Sequence, residues 1–298
     1  MVFMTSKRKK LSIGLIYYKT YLDYEDRMLY KALKKKNLNI VHLPAEEQLD
    51  VDELKEKTKK CKLIYNDTIC QPILFESLEL SKTLEELGKK VINSSHSFFY
   101  QEDKWMFYLK CLEHRIPTPK TYFIPRETRF YQRIIKRILK NNPLVLKGVF
   151  SDNSMQVEKV NDYPMFVKKI KKIVDKSHGS PIIAQEFIPN LNRSYRATLI
   201  NHKLLQFVVK ISKSWKQSGH VREHFRTIKV TKKIKNLCEK ASRALGIQVC
   251  GLDLIFNNGK WYVIEINSCP GLDFIYHDEE KLVKKIADYL HSECEKLG

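Results

Sequence analysis

The sequence has no CxxC pair, no GxxxxGK[ST] loop, no HExxH and no apolar run of transmembrane length. Its seven cysteines, Cys61, Cys70, Cys111, Cys238, Cys250, Cys269 and Cys294, are odd in number and scattered. Neither a zinc knuckle nor a disulfide framework is therefore indicated. The missing GxxxxGK[ST] excludes a P-loop nucleotide site. Gly 10 and Pro 10 are both scarce, which argues against long disordered linkers. No repeat of 20–50 residues is evident. The opening MVFMTSKRKK lacks a following apolar stretch, so no signal peptide is expected. The expectation is a reduced, soluble, cytoplasmic protein without membrane contact.

What the chain has in excess is positive charge. Lys+Arg 54 against Asp+Glu 34 gives a net +20 over 298 residues. Such a field suits an acidic partner: nucleic acid, an acidic protein or peptide, or an anionic small molecule. It also fits solvated, lysine-rich helix faces. FVKKIKKIVDK supports the second view, since Phe166, Val167, Ile170, Ile173 and Val174 form a helical apolar stripe and lysines fill the remainder.

Residues 1–95 alternate strand patterns (LSIGLIYY, LNIVHLP, CKLIYND, KKVINSS) with helical ones, which implies a parallel sheet in a small α/β domain. In YEDRMLYKALKKKN the expected inward residues are Met28, Leu29 and Ala32–Leu33. A second segment, 96–178, holds a helix closed by RIPTP, where each proline disfavours αR in the residue before it. It continues with an amphipathic helix through Phe130, Ile134, Ile135 and Ile138, then the strand PLVLKGVF. From 179 to 298 the strands lengthen and the turns shorten, as in an α+β unit.

Three oxygen-bearing side chains stand out in GLDLIFNNGKWYVIEINSCPGL. Glu265 and Asn267 are two apart, so they share a strand face. A hairpin across NNGK brings Asp253 opposite them, with Leu252, Leu254, Ile264 and Ile266 on the other face. Two carboxylates and an amide suit magnesium, which takes few protein ligands and completes its shell with water and phosphate. The competing reading is a half-exposed strand with polar residues outward. Lys147 lies inside an apolar strand, where an unpaired ammonium is costly. It needs a nucleotide phosphate or another anion, or else it snorkels or pairs with a local carboxylate. Lys104, by itself, reads as a lysine that snorkels or pairs with a local carboxylate. IIAQEFIP can present backbone groups to an adenine edge. His220 and His224 are four apart but lack a third ligand, which favours substrate contact or plain surface over zinc.

In order, these pieces resemble the ATP-grasp superfamily, specifically its RimK-like and LysX-like amino-acid ligases. The resemblance runs through EELGKKVINSSHSFFYQEDKWMFYLKCLEHRIPTPKT, PLVLKG, IIAQEFI and GLDLIF…WYVIEINSCPGL. It implies a Rossmann-like pre-ATP-grasp domain over 1–95, then a two-part ATP-grasp fold in a central subdomain (96–178) and a C-terminal subdomain with the metal site (179–298). It implies that Lys104 and Lys147 contact ATP phosphates and that Glu186, Phe187 and Ile188 line the adenine pocket. Asp253, Glu265 and Asn267 would hold two Mg2+ ions (or Mn2+), with Glu265 bridging. Arg196 would face an acyl-phosphate, and Lys210 would supply a second basic group to the chemistry.

The sequence also departs from the family pattern. The loop after Lys147 is GVFSDNSMQV, with Gly148 its only glycine, where relatives use glycines to wrap phosphate. Ser194 stands where relatives often place an acid on the ribose. In WKQSGHVREHF, Trp215 keeps an aromatic, Lys216 replaces an arginine and Ser218 an asparagine. The activity implied is ATP-dependent carboxylate–amine ligation through an acyl-phosphate, releasing ADP and phosphate. One substrate would be an amino acid such as glutamate. The other would be a small-molecule, cofactor, peptide or carrier-protein acceptor, and the charge favours an acidic carrier or a glutamate-ended cofactor. A homo-oligomer is the family's habit. Two competing readings are a degenerate ATP-grasp scaffold without turnover, suggested by the glycine-poor loop, and a basic nucleic-acid-binding protein, which leaves the ordered motifs unexplained.

Overall fold

A computed structural model describes residues 10–22, 24–47, 50–66, 74–125, 132–150, 157–176, 181–213, 215, 225–268, 270–275 and 278–297. The chain divides into two compact units. One comprises Met1–His96, Ile247–Val249 and Gly271–Gly298, and the other Ser97–Gly246 and Cys250–Pro270.

The first unit is built on strands β1 (Ser12–Tyr17), β2 (Asn39–Pro44), β3 (Cys61–Asn66) and β4 (Lys90–Ile92), separated by helices α1 (Tyr24–Lys35), α2 (Val51–Lys57) and α3 (Leu74–Glu86). All three strand pairs are parallel, in the order β2-β1-β3-β4. The alternating patterns require this, because a parallel neighbour can be reached only by a crossover, here helical. Ile13, Ile16, Leu63 and Ile64 are wholly buried, as strands covered on both faces must be. On α1 the inward stripe narrows to Leu29 and Leu33, with Met28 and Ala32 half-buried. The C-terminal helix, Glu279–Leu297, belongs to this unit. It is tied down by Lys36–Asp288 and Lys90–Glu293 ion pairs, both at 2.5 Å.

The second unit starts with helices α4 (Phe98–Glu102) and α5 (Lys104–Glu113). A four-stranded sheet follows, from β5 (Thr121–Ile124), β6 (Leu144–Gly148), β7 (Val157–Val160) and β8 (Ile182–Glu186), antiparallel in the order β5-β8-β6-β7. Helices α6 (Gln132–Leu139) and α7 (Tyr163–Lys176) cover one face. There Leu144, Leu146, Ile182 and Ala184 pack with Ile135, Ile138, Phe166, Ile170 and Ile173. Ile134 departs from expectation: it is 46% exposed. Ile135 and Ile138, one turn apart, carry the buried stripe, and residue 134 lies about 100° round the helix from 135. Phe130 lies outside the described residues. Strand alternation then sends Thr121, Lys147 and Gln185 to the face away from the helices.

The second sheet runs β11-β10-β9-β12-β13, from β9 (Arg193–Ile200), β10 (Lys203–Ile211), β11 (Phe225–Thr227), β12 (Val249–Asn257) and β13 (Lys260–Asn267), with helix α8 (Lys232–Leu245) packed on β9 and β10. Its two hairpins turn through Asn201–His202 (φ 52 and 58) and Asn258–Gly259 (φ 46 and 74). Positive φ at both central positions gives the turn whose twist matches the strands. In the second hairpin the register shifts between Asp253 and Leu254, so Leu254 pairs with Val263 and Ile264 is the extra residue of a bulge. Val263 is therefore buried, and Ile264, expected inward from simple alternation, is only half-buried. The bulge lets Glu265 and Val263, two apart, face opposite sides. Gly259→Ala is expected to cost about 1 kcal/mol in urea unfolding, because an L side chain is strained at positive φ. Unchanged stability would show that the turn does not hold this register.

Candidate active site

The bulged hairpin sets the geometry of the site. Asp253 pairs directly with Glu265, and Asn267 pairs with Gly251. Asn267 Nδ2 donates to Asp253 Oδ2 at 3.4 Å, so amide and carboxylate share a face. The next strand contributes Arg196, whose Nη1 donates to Asp253 Oδ2 at 2.8 Å. Its Nε and Nη2 both donate to the Pro270 carbonyl, at 3.2 and 3.0 Å. The guanidinium lies flat over Gly251. A Cβ there would come within 2.5 Å of Arg196 Cζ and Nη2, so glycine is what admits the arginine.

Lys210, at the end of β10, is 8% exposed and sits opposite Ser194 in β9. Its Nζ is 5.6 Å from the centre of the Phe225 ring. Burial pulls its ammonium below the usual lysine range, partly offset by attraction to Asp253.

Lys104 is the first residue of α5. The preceding Asp103 caps that helix by accepting from the Trp105 and Met106 amides at 2.8 and 2.9 Å. The Lys104 amide donates to the Val149 carbonyl at 3.4 Å, joining this helix to the end of β6. On β6 itself, Lys147 donates to Gln185 Oε1 at 2.9 Å. No carboxylate lies within ion-pair distance of Lys147 among the described residues. Burial pulls its pKa down to about 8. Attraction to Glu265 opposes the shift, and repulsion from Lys104 adds to it. Burial in turn pushes the Glu265 carboxyl up, against the attraction of Lys104, Lys147 and Arg196. Four cations and two carboxylates are thus coupled electrostatically, with Lys147 and Glu265 in poorly solvated positions and Asp253 at the solvent edge. Positive charge is in excess there.

At the end of β8, the Glu186 amide donates to the Lys120 carbonyl and the Phe187 amide to the Pro143 carbonyl, at 2.8 and 2.9 Å. Two of the backbone donors expected to face adenine are therefore already used. Glu186 also accepts from the Tyr122 hydroxyl at 3.3 Å. Lys159 Nζ stands 3.6 Å from the Phe187 ring centre, and Trp215 meets that ring edge-on at 5.7 Å. Trp215 is fixed by Asn190 Nδ2, which donates to its carbonyl at 3.2 Å.

Lys104, Lys147, Arg196, Lys210, Asp253, Glu265 and Asn267 are thus gathered, and Glu186 follows directly on Gln185, the partner of Lys147. Lys216, Ser218, His220, His224 and loop residues 151–156 lie outside the described residues. Sequence reasoning missed Gln185, Thr121 and Gly251. A polar residue in IIAQEF and a glycine inside a strand are signals of the same kind as Lys147 in its strand. Among the described residues no three His, Cys, Asp or Glu side chains could hold a metal ion. The hairpin set reaches three only through the Asn267 amide. It fits a hard cation such as magnesium, which needs few protein oxygens, and the raised pKa of Glu265 leaves room for cationic compensation.

Comparisons with known proteins identify the family and the fold. The family described as RimK-like ATP-grasp domain matches residues 101–290. A relative named coenzyme gamma-F420-2:alpha-L-glutamate ligase, from Methanococcus maripaludis, is 24% identical over 199 residues, covering 65% of this chain and 68% of its own. A RimK domain protein of ATP-grasp type from Sphaerobacter thermophilus superposes with TM-score 0.68 at 14% identity, over 94% of this chain and 98% of the other. D-alanine–D-alanine ligase from Bacillus anthracis, solved with ATP, gives TM-score 0.66 at 16% identity, over 97% and 100%.

The steric role of Gly251 is directly testable. Gly251→Ala is expected to lower stability by about 1–3 kcal/mol in urea unfolding, because the added methyl displaces the guanidinium. In an Arg196→Ala background the same change should cost almost nothing. Equal costs in both backgrounds would contradict the packing described.

Proposed function

Because this chain belongs to the RimK-like ATP-grasp family, we propose that it is an ATP-dependent carboxylate–amine ligase that joins an amino acid of the glutamate type to an acceptor. The observation that carries this reading is the buried charge excess around Lys147, a lysine whose partner is a neutral amide rather than a carboxylate. Such a site is unfavourable when empty and favourable with a polyphosphate in it. Lys104 and Lys147 bind the phosphates. Glu186, Phe187 and Ile188 border the adenine, with Lys159 and Trp215 fixing the Phe187 ring. Ser194 stands near the ribose, and Lys216 and Ser218 serve the nucleotide end from the segment that follows β10.

The reaction proceeds in two transfers. A substrate carboxylate oxygen attacks the γ-phosphorus of ATP, the bond to the β-phosphate oxygen breaks, and ADP leaves. An amine then attacks the acyl carbon, phosphate departs with the C–O bond electrons, and the amine loses a proton. Asp253, Glu265 and Asn267 would hold Mg2+, as two ions in the fullest form of this reading. The metal supplies neutralisation of phosphate charge. Arg196, pinned by Asp253 and Pro270, orients the acyl group and steadies its developing negative oxygen, and Lys210 supports the same charge from the adjoining strand. No protein nucleophile is needed, and the work is positioning and electrostatics.

The acceptor is proposed to be acidic: a glutamate-ended cofactor, an acidic peptide or a carrier protein. Between positions 128 and 230 there are 21 basic against 6 acidic residues, so the charge excess is concentrated in the part of the chain that supplies Lys147 and Arg196.

Purified protein incubated with ATP, Mg2+ and pooled amino acids, with and without cell extract, should release ADP in an amino-acid-dependent manner. Glu265→Gln should abolish that release by at least about a hundredfold. Tight ATP binding without turnover in any pool would instead establish a non-catalytic scaffold. A second measurement follows from Lys147. Its ammonium is present below about pH 8 and is lost above it. ATP affinity, measured by calorimetry, should therefore hold below that pH and fall as pH rises through it. A flat profile to pH 9.5 would remove Lys147 from phosphate binding.

A further inference from the structure

The partner of Lys147 is itself held from behind. Lys147 Nζ donates to Gln185 Oε1 at 2.9 Å, Gln185 Nε2 donates to Thr121 Oγ1 at 3.1 Å, and Thr121 Oγ1 donates to the Pro119 carbonyl at 3.0 Å. The strand register produces the chain. Thr121 pairs with Gln185 across β5 and β8, and Gln185 pairs across β6 with Val145, two residues from Lys147 on the same face. Gln185 is 7% exposed and Thr121 4%, so water competes poorly for these groups.

The chemistry gives the chain one direction. A carbonyl only accepts, so the single hydroxyl proton of Thr121 is committed to Pro119. The Thr121 oxygen can then serve Gln185 only as an acceptor. That pins the amide nitrogen toward Thr121 and the amide oxygen toward Lys147. A flipped amide would set its NH2 against the ammonium and its oxygen against a hydroxyl with no proton to offer.

We infer that Thr121 and Gln185 are positioning residues that aim the Lys147 ammonium at the phosphate of a bound nucleotide, an inference that rests on the ligase reading for the identity of the ligand. The amide oxygen takes one of three ammonium protons and leaves two for phosphate oxygens. Being neutral, it also leaves the positive charge undiminished. A carboxylate at the same place would fix the lysine equally well but cancel the charge that the ligand needs. Thr121 reaches Lys147 only through the Gln185 amide.

Calorimetric titration with ATP and Mg2+, without other substrates, separates this relay from a merely structural role. Gln185→Met keeps side-chain length and removes the acceptor, and should weaken ATP binding about tenfold or more. Thr121→Val keeps the shape of the strand and should weaken it severalfold in the native background, yet add nothing in Gln185→Met. Native-like affinity in Gln185→Met, or additive losses in the double variant, would overturn the relay. A second readout needs no ligand. The Gln185 side-chain amide, followed by 15N–1H NMR, should exchange slowly with solvent in the native protein and markedly faster in Thr121→Val. Fast exchange in the native protein overturns the relay whatever binds. If the native protein binds no ATP, the ligase reading fails, while the amide exchange still decides the relay.

Discussion

Keeping a buried lysine charged without neutralising it is the constraint on which the rest of the second unit depends. Lys147 lies in a space where burial lowers its pKa and Lys104 repels it, with only distant help from Glu265 and Asp253. A direct carboxylate partner would satisfy it and close the site to anions. The fold supplies the neutral amide oxygen of Gln185 instead, and one further side chain, Thr121, holds that amide from behind with the Pro119 carbonyl. On the other sheet the arrangement is reversed. Arg196 is paired closely with Asp253 and braced on the Pro270 carbonyl, so its cation is fixed in place. One positive group is held by a neutral amide, and another is locked beside the carboxylates.

Secondary structure achieves this at small cost in regularity. One bulge at Ile264 sets Glu265 against Asp253 while sending Val263 to the core. One glycine, Gly251, opens the space for the guanidinium. The long antiparallel hairpins carry the acids and Arg196, and the shorter antiparallel sheet carries Lys147 and the segment around Glu186. In the first unit, parallel strands and the C-terminal helix form a separate core.

Much of this was legible from residue pattern. The hairpin through NNGK, the pairing of Asp253 with Glu265, the parallel N-terminal sheet and the apolar stripe of α7 follow from periodicity and turn chemistry. Family membership was legible from the order of short motifs, each weak alone. The bulge was not, because alternation in WYVIEIN reads equally well without an extra residue. Nor was the partner of Lys147. Its position two residues along from the cross-strand neighbour of Gln185 depends on strand register, which no local pattern encodes. The same holds for Arg196 over Gly251, a contact between residues 55 positions apart. Hydropathy placed Ile134 inward, and the actual rotation of the short helix exposes it.

The central claim is that ATP occupies the charged space between the two sheets of the second unit. Hydrogen-exchange mass spectrometry with and without ATP and Mg2+ tests it most directly. The account predicts slowed exchange in Leu144–Gly148, Ile182–Glu186 and Lys260–Asn267, with the parallel sheet of the first unit little changed. Protection confined to the first unit, or none anywhere at saturating ATP, would contradict it.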